Sequence, residues 1–163
     1  MKPNFLIVGA AKAGTTALYY YLRQHPEISF SNLKETKYFS TGVLNISHNG
    51  IGDHSIDKYA IKNWTEYLNL FKNLASYKRI GEASPDYLVY HKQTAPLIKE
   101  TLGDIPIIIS LRNPIKRAFS AYVNLKRDNR EPLSFRAGLD AEEDRLNDNW
   151  DFMWGYKSCL LYT

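Results

Sequence analysis

The sequence predicts an α/β fold, a mostly parallel central sheet flanked by helices, in a single domain spanning residues 1–163. Three observations carry this. Short apolar runs alternate with stretches of helical periodicity. A glycine-bounded loop separates the first apolar run from the first helix, and a second strand-loop-helix unit follows near residue 110. The chain is 44% hydrophobic and 23% charged, which suits a globular domain with a proper core.

Residues 4–8 form the first strand, and residues 14–24 its helix, closed by His25-Pro26. Residues 28–30 make a short strand. Residues 40–55 hold Gly42, Asn45, His48, Asn49, Gly50, Gly52 and His54, and read as a loop. Residues 56–75 read as one helix with Tyr59, Trp64, Tyr67, Leu68, Phe71 and Leu74 near one face. Residues 79–83 are a strand, and 94–102 a helix with Pro96 early and Gly103 as its stop. Residues 105–111 are the fourth strand. Residues 114–126 are the helix after it, with Asn113 as N-cap and Pro114 in the first turn. Residues 133–146 and 151–162 read as helical, and the six acidic residues from 140 to 151 as a solvated helix face.

The chemistry concentrates at the first loop, Gly9-Ala10-Ala11-Lys12-Ala13-Gly14-Thr15-Thr16. Strand, glycine-bounded loop and helix form a cradle for phosphate, because backbone N–H groups and the positive end of the helix dipole point into it. The glycine spacing equals that of the nucleotide-triphosphate P-loop, G-x-x-x-x-G-K-[ST]. Thr15 stands where that motif has lysine, and the lysine is displaced to Lys12. The strand at 105–111 leads into Arg112, where an NTPase places a metal-binding aspartate. A cation there repels a metal and attracts an anion. Arg112 before a helix and Ser120 about two turns into it can close on one phosphate. Two such units point to a ligand with two phosphate groups, bound without a metal ion.

The remaining composition narrows the options. A net charge of +4 suits an anionic ligand but is not a nucleic-acid signature. Cys159 is the only cysteine, so no intrachain disulfide forms, and a reducing, cytoplasmic setting is expected. No apolar run approaches a membrane span. A signal-peptide reading of the N-terminus would need an apolar core at its minimum length and would cut the loop. No His/Cys cluster has metal-ligand spacing.

Four segments together resemble the sulfotransferases that use 3′-phosphoadenosine 5′-phosphosulfate (PAPS). Lys12-Ala13-Gly14-Thr15-Thr16-Ala17-Leu18 resembles their 5′-phosphosulfate loop. Arg112-Asn113-Pro114, with Arg117, Ser120 and Tyr122, resembles their 3′-phosphate site. Lys34-Glu35-Thr36-Lys37-Tyr38-Phe39 and Glu82-Ala83-Ser84-Pro85-Asp86-Tyr87 are similar to two stretches of the heparan-sulfate-type branch. The matches run in family order from Phe5 to about Tyr122.

The resemblance implies a P-loop-like sulfotransferase fold. It implies transfer of a sulfuryl group from PAPS to a hydroxyl or amine, on a carbohydrate or small molecule, leaving 3′-phosphoadenosine 5′-phosphate. Relatives continue past a helix like the one at 154–163 with a further strand and a basic loop, so the chain reads as C-terminally truncated. On this reading Lys12, Ala13, Gly14, Thr15 and Thr16 hold the 5′-phosphosulfate, and Lys12 stabilises the leaving phosphate. Arg112 and Ser120 grip the 3′-phosphate, while Arg117 serves a phosphate or the surface. Glu35 is the general base by its match to the branch's catalytic glutamate, and otherwise an ion-pair partner of Lys34 or Lys37. Glu82, at a strand end on the ligand-binding side, is the second choice. His48 and His54 are loop residues that could also serve. Lys37 stands where relatives often have histidine, and Ala83 where the branch has lysine, so Lys37 supplies part of the missing charge toward the acceptor. The alternatives are a relative that binds the 3′,5′-nucleotide without turnover, and a nucleotide kinase or NTPase.

Overall fold

The computed structural model describes residues 1–157. Four parallel strands, β1 (Phe5–Gly9), β2 (Ile28–Phe30), β3 (Arg79–Ala83) and β4 (Ile107–Ile109), form a sheet in the order β2-β3-β1-β4. Helix α1 (Thr15–Leu22) follows β1, α4 (His91–Leu102) precedes β4, and α5 (Pro114–Arg127) follows it. Strand β1 alternates between two cores, as a strand covered on both faces must. Leu6 and Val8 join Phe39, Tyr67, Phe71, Ile80, Tyr87 and Ile98 on one side. Phe5 and Ile7 join Tyr19, Phe30 and Ala83 on the other. A smaller core under α5 is built from Ala118, Ala121, Leu125, Trp154 and Tyr156.

The sheet and the helices at 14–24 and 114–126 stand as the sequence reads. Several details differ, and the helix expected at 94–102 starts earlier, as α4 from His91. The segment read as loop at 40–55 overlaps a π-helical turn, Tyr38–Gly42, and the start of α2 (Asp53–Tyr59). The single helix expected at 56–75 is two, because Ala60 turns extended and Asn63 caps α3 (Trp64–Asn69) by accepting from Thr65 and Glu66 backbone N–H groups. The break puts Tyr59 out of phase with the core and leaves it 70% exposed. The fourth strand pairs only over Ile107–Ile109. The helix at 133–146 divides at Ala141 into α6 (Phe135–Asp140) and α7 (Glu142–Asn147).

Nor is the acidic run simply a solvated face: Glu142 and Asp151 are buried, and Glu142 accepts the Lys157 backbone N–H at 2.6 Å. Of the helix expected at 151–162, a 3-10 turn covers Phe152–Trp154, and residues 158–163 lie outside the described residues. Among the described residues no helix is long and apolar enough to cross a membrane.

Candidate active site

A cleft of about 680 Å³ opens at the C-terminal ends of the strands, where parallel sheets place their ligands. Its lining brings together Lys12, Gly14, Thr15, Thr16, Glu35, Lys37, Arg112 and Ser120 from separate parts of the chain.

The loop wall is tied to β4 by backbone. Ala10 N–H donates to Ser110 O at 2.8 Å and Ser110 N–H to Gly9 O at 2.7 Å. The Ser110 hydroxyl donates to Ala13 O, and the Arg112 guanidinium to Lys12 O at 3.1 Å. The two strand-loop-helix units therefore share one site. Gly14 takes φ 92°, a left-handed turn that glycine adopts without a side-chain clash, and α1 starts at once. No side chain caps that N-terminus, so the first N–H groups of α1 remain for a ligand.

The Lys12 ammonium donates to Asn124 Oδ1 at 2.8 Å. Burial and the nearby Arg127 guanidinium hold its pKa below the ordinary lysine value, a cost that a bound anion would offset. Asn124 lies one turn beyond Ser120 on α5, and both line the cleft. Arg117 and Tyr122 turn away from it. Arg117 is buried and donates to the carbonyls of Gly155 and Tyr156 at 2.7 and 2.9 Å, and the Tyr122 hydroxyl donates to Leu133 O.

The opposite wall is carried by β3. Glu35 N–H donates to Ala83 O at 2.9 Å, and Lys37 N–H to Ser84 Oγ at 3.1 Å, which clamps residues 35–37 beside the end of the strand. Glu35 ion-pairs with Lys34, and its side chain stays 39% exposed. The Lys37 ammonium lies 3.7 Å from Asp86 Oδ2. Burial alone would lower its pKa, but Asp86, Asp151 and Glu35 around it raise it.

Glu82 is fully buried behind this wall, accepts the Ser84 hydroxyl and does not line the cleft; burial pushes its carboxyl up to about 7. His48 is also packed inside, between Asp57 at 2.6 Å and the Tyr90 hydroxyl at 3.0 Å. Among the described residues no group of His, Cys, Asp and Glu could hold a metal ion.

Backbone conformation marks the same residues. Six non-glycine residues have positive φ among those described: Lys12, Glu35, Lys37, Asn45, Asn129 and Asn149. Asparagine tolerates that region, whereas lysine and glutamate gain nothing from it. All three exceptions line the cleft, with φ 64°, 60° and 53°. Strain held at a cleft is a functional pointer.

Sequence reasoning missed Asn124, Arg130 and Asp151. The helical spacing from Ser120 could have pointed to Asn124, but no local pattern marks the other two.

Known proteins resemble this chain in sequence and in fold. The family model described as "Sulfotransferase family" matches residues 3–155. A sulfotransferase of Alicyclobacillus acidocaldarius superposes with a TM-score of 0.93 at 41% identity, covering 99% of this chain and 65% of that one. Membrane-associated sulfotransferase kil1 of Dictyostelium discoideum is 36% identical over 137 residues, 82% of this chain and 26% of its own length. Carbohydrate sulfotransferase 15 of Mus musculus is 26% identical over 97% of this chain and 33% of its own length. The bifunctional heparan sulfate N-deacetylase/N-sulfotransferase 4 of Mus musculus is 33% identical over 82% of this chain and 14% of its own length. The chain thus spans from about a seventh to two thirds of these proteins. On the match over residues 3–155 and the shared fold, the chain belongs to the sulfotransferase family.

Proposed function

We propose that the chain transfers a sulfuryl group from PAPS to a hydroxyl or amine, on a carbohydrate or small molecule, in the cytoplasm. The observation that carries this is the convergence on one cleft of Lys12 and Arg112 with Glu35 and Lys37, three of them in strained backbone. The residues fit the donor: two cations and a capless helix N-terminus at linked strand ends suit two phosphate centres. PAPS supplies an activated sulfuryl group.

Lys12, Gly14, Thr15 and Thr16 hold the 5′ end, Ala13 standing outside the lining with its N–H on Ala10 O, and the Lys12 ammonium, drawn from Asn124, neutralises charge that develops on the leaving phosphate. Arg112 and Ser120 hold the 3′-phosphate. The Glu35 carboxylate takes the acceptor's proton as the oxygen or nitrogen attacks sulfur. Glu35 is favoured over Glu82 because it lines the cleft and Glu82 does not. The carbohydrate acceptor draws support from relatives named for carbohydrate and heparan sulfate sulfation. The lone Cys159 favours the reducing compartment.

Calorimetric titration with 3′-phosphoadenosine 5′-phosphate, with and without Mg²⁺ and against ATP, tests the reading. Tight binding that needs no Mg²⁺ and is weak for ATP supports it; equal or tighter Mg²⁺-dependent ATP binding overturns it.

A further inference from the structure

We propose that the wall opposite the loop is an acceptor subsite in which Asp151 takes a hydrogen bond from a hydroxyl or ammonium group. The acceptor is then a neutral or amine-bearing saccharide, not a polyanionic one. This rests on the sulfuryl-transfer reading above.

Asp151 is 1% exposed and lines the cleft. Its Oδ1 accepts the Met153 N–H at 3.1 Å, and its Oδ2 has no hydrogen-bond partner among the described residues. A buried carboxylate oxygen normally has one. The residue is not loosely placed. Its own N–H donates to Asp53 Oδ2 at 2.8 Å, and Asp53 is fully buried. Asp53 also accepts Trp154 Nε1–H at 3.2 Å and ion-pairs with Arg130. Gly50 makes room for this clasp, since a Cβ there would lie 2.2 Å from Asp53 Oδ2. The chain thus fixes a carboxylate at the cleft wall and leaves one oxygen without a donor, the arrangement of a site that a ligand completes.

The charge around it selects the ligand. Lys34 pairs with Glu35, Arg130 with Asp53 and Lys37 with Asp86, which leaves Asp151 as the carboxylate beyond the paired charges on this wall. A sulfated or uronate-bearing acceptor would find these cations already paired and meet like charge at Asp151, whereas a hydroxyl or ammonium group would be drawn to it.

The test is calorimetry on the chain loaded with 3′-phosphoadenosine 5′-phosphate. The probes are a glucosamine tetramer and a tetramer alternating glucuronate with N-acetylglucosamine. The glucosamine tetramer is expected to bind at least tenfold more tightly, and Asp151→Asn to weaken it about tenfold. An unchanged nucleotide affinity shows that the variant folds; should it not fold, the selectivity of the parent chain decides. Equal or tighter binding of the uronate tetramer, binding of neither, or indifference to Asp151→Asn overturns the inference while nucleotide binding stands. Absence of nucleotide binding overturns the sulfuryl-transfer reading along with it.

Discussion

The loop from Gly9 to Thr16 is built largely from backbone, whereas the wall facing it is built from side chains delivered by distant segments. In the loop, the groups that matter are N–H donors and carbonyls fixed by neighbours in sequence and by β4. In the facing wall, Glu35 and Lys37 hang from β3, and Asp151 is held by Asp53 from the far side of the chain. The difference sets how each can vary. A backbone cradle depends on glycine and helix geometry and suits a constant ligand. A side-chain wall changes by single substitution and suits a variable acceptor. The first wall is therefore expected to bind nucleotide, and the second to take the proton and choose the acceptor.

Substitutions on the facing wall separate catalysis from architecture. Glu35→Gln is expected to have the largest effect, lowering kcat by about 10²–10⁴-fold, the range for losing a general base. A steady-state transfer assay checks it, and a kcat within about threefold would return Glu35 to being an ion-pair partner of Lys34.

Glu82→Gln should act on stability instead. The Glu82 carboxyl is pushed from 4.5 to about 7 in the fold, so the folded chain keeps a proton that the unfolded chain releases. Stability contributed by this group is intact below about pH 4.5, declines between 4.5 and 7, and is flat above. The decline amounts to about 3 kcal/mol. Glu82→Gln should remove it, so that denaturant unfolding of the variant changes less than the parent's between pH 5 and 8. A parallel pH dependence in both would show that Glu82 is not held protonated.

On the loop side, Arg112→Ala is expected to weaken 3′-phosphoadenosine 5′-phosphate by about 10–100-fold, as for a lost charge-assisted contact. Adenosine 5′-phosphate, without the 3′ group, should be affected less. Ser120→Ala should cost about three- to tenfold in the same titration. Equal losses for both nucleotides would remove Arg112 and Ser120 from the 3′-phosphate.

The same contrast explains what could be read from the sequence. The loop was legible because glycine spacing, an apolar strand and a helix pattern are local, and the displaced Lys12 is visible beside them. Arg112 and Ser120 were legible for the same reason, given Asn113-Pro114 as a helix start. Glu35 and Lys37 came from resemblance, since nothing in their spacing reveals that β3 clamps them with positive φ. Asp151 was hidden in an acidic run that reads as surface, because its burial depends on Asp53, almost a hundred residues earlier. The helix expected over 56–75 failed for a local reason: the side chain of Asn63 competes for backbone N–H groups and starts a new helix.

The central claim is that one wall of the cleft holds the nucleotide and the other does not. Titrating 3′-phosphoadenosine 5′-phosphate into the parent chain, Lys12→Ala and Glu35→Gln tests it most directly. Lys12→Ala should weaken binding by at least about tenfold while Glu35→Gln leaves it within about twofold. Equal losses in both variants, or none in Lys12→Ala, would contradict the division of the cleft.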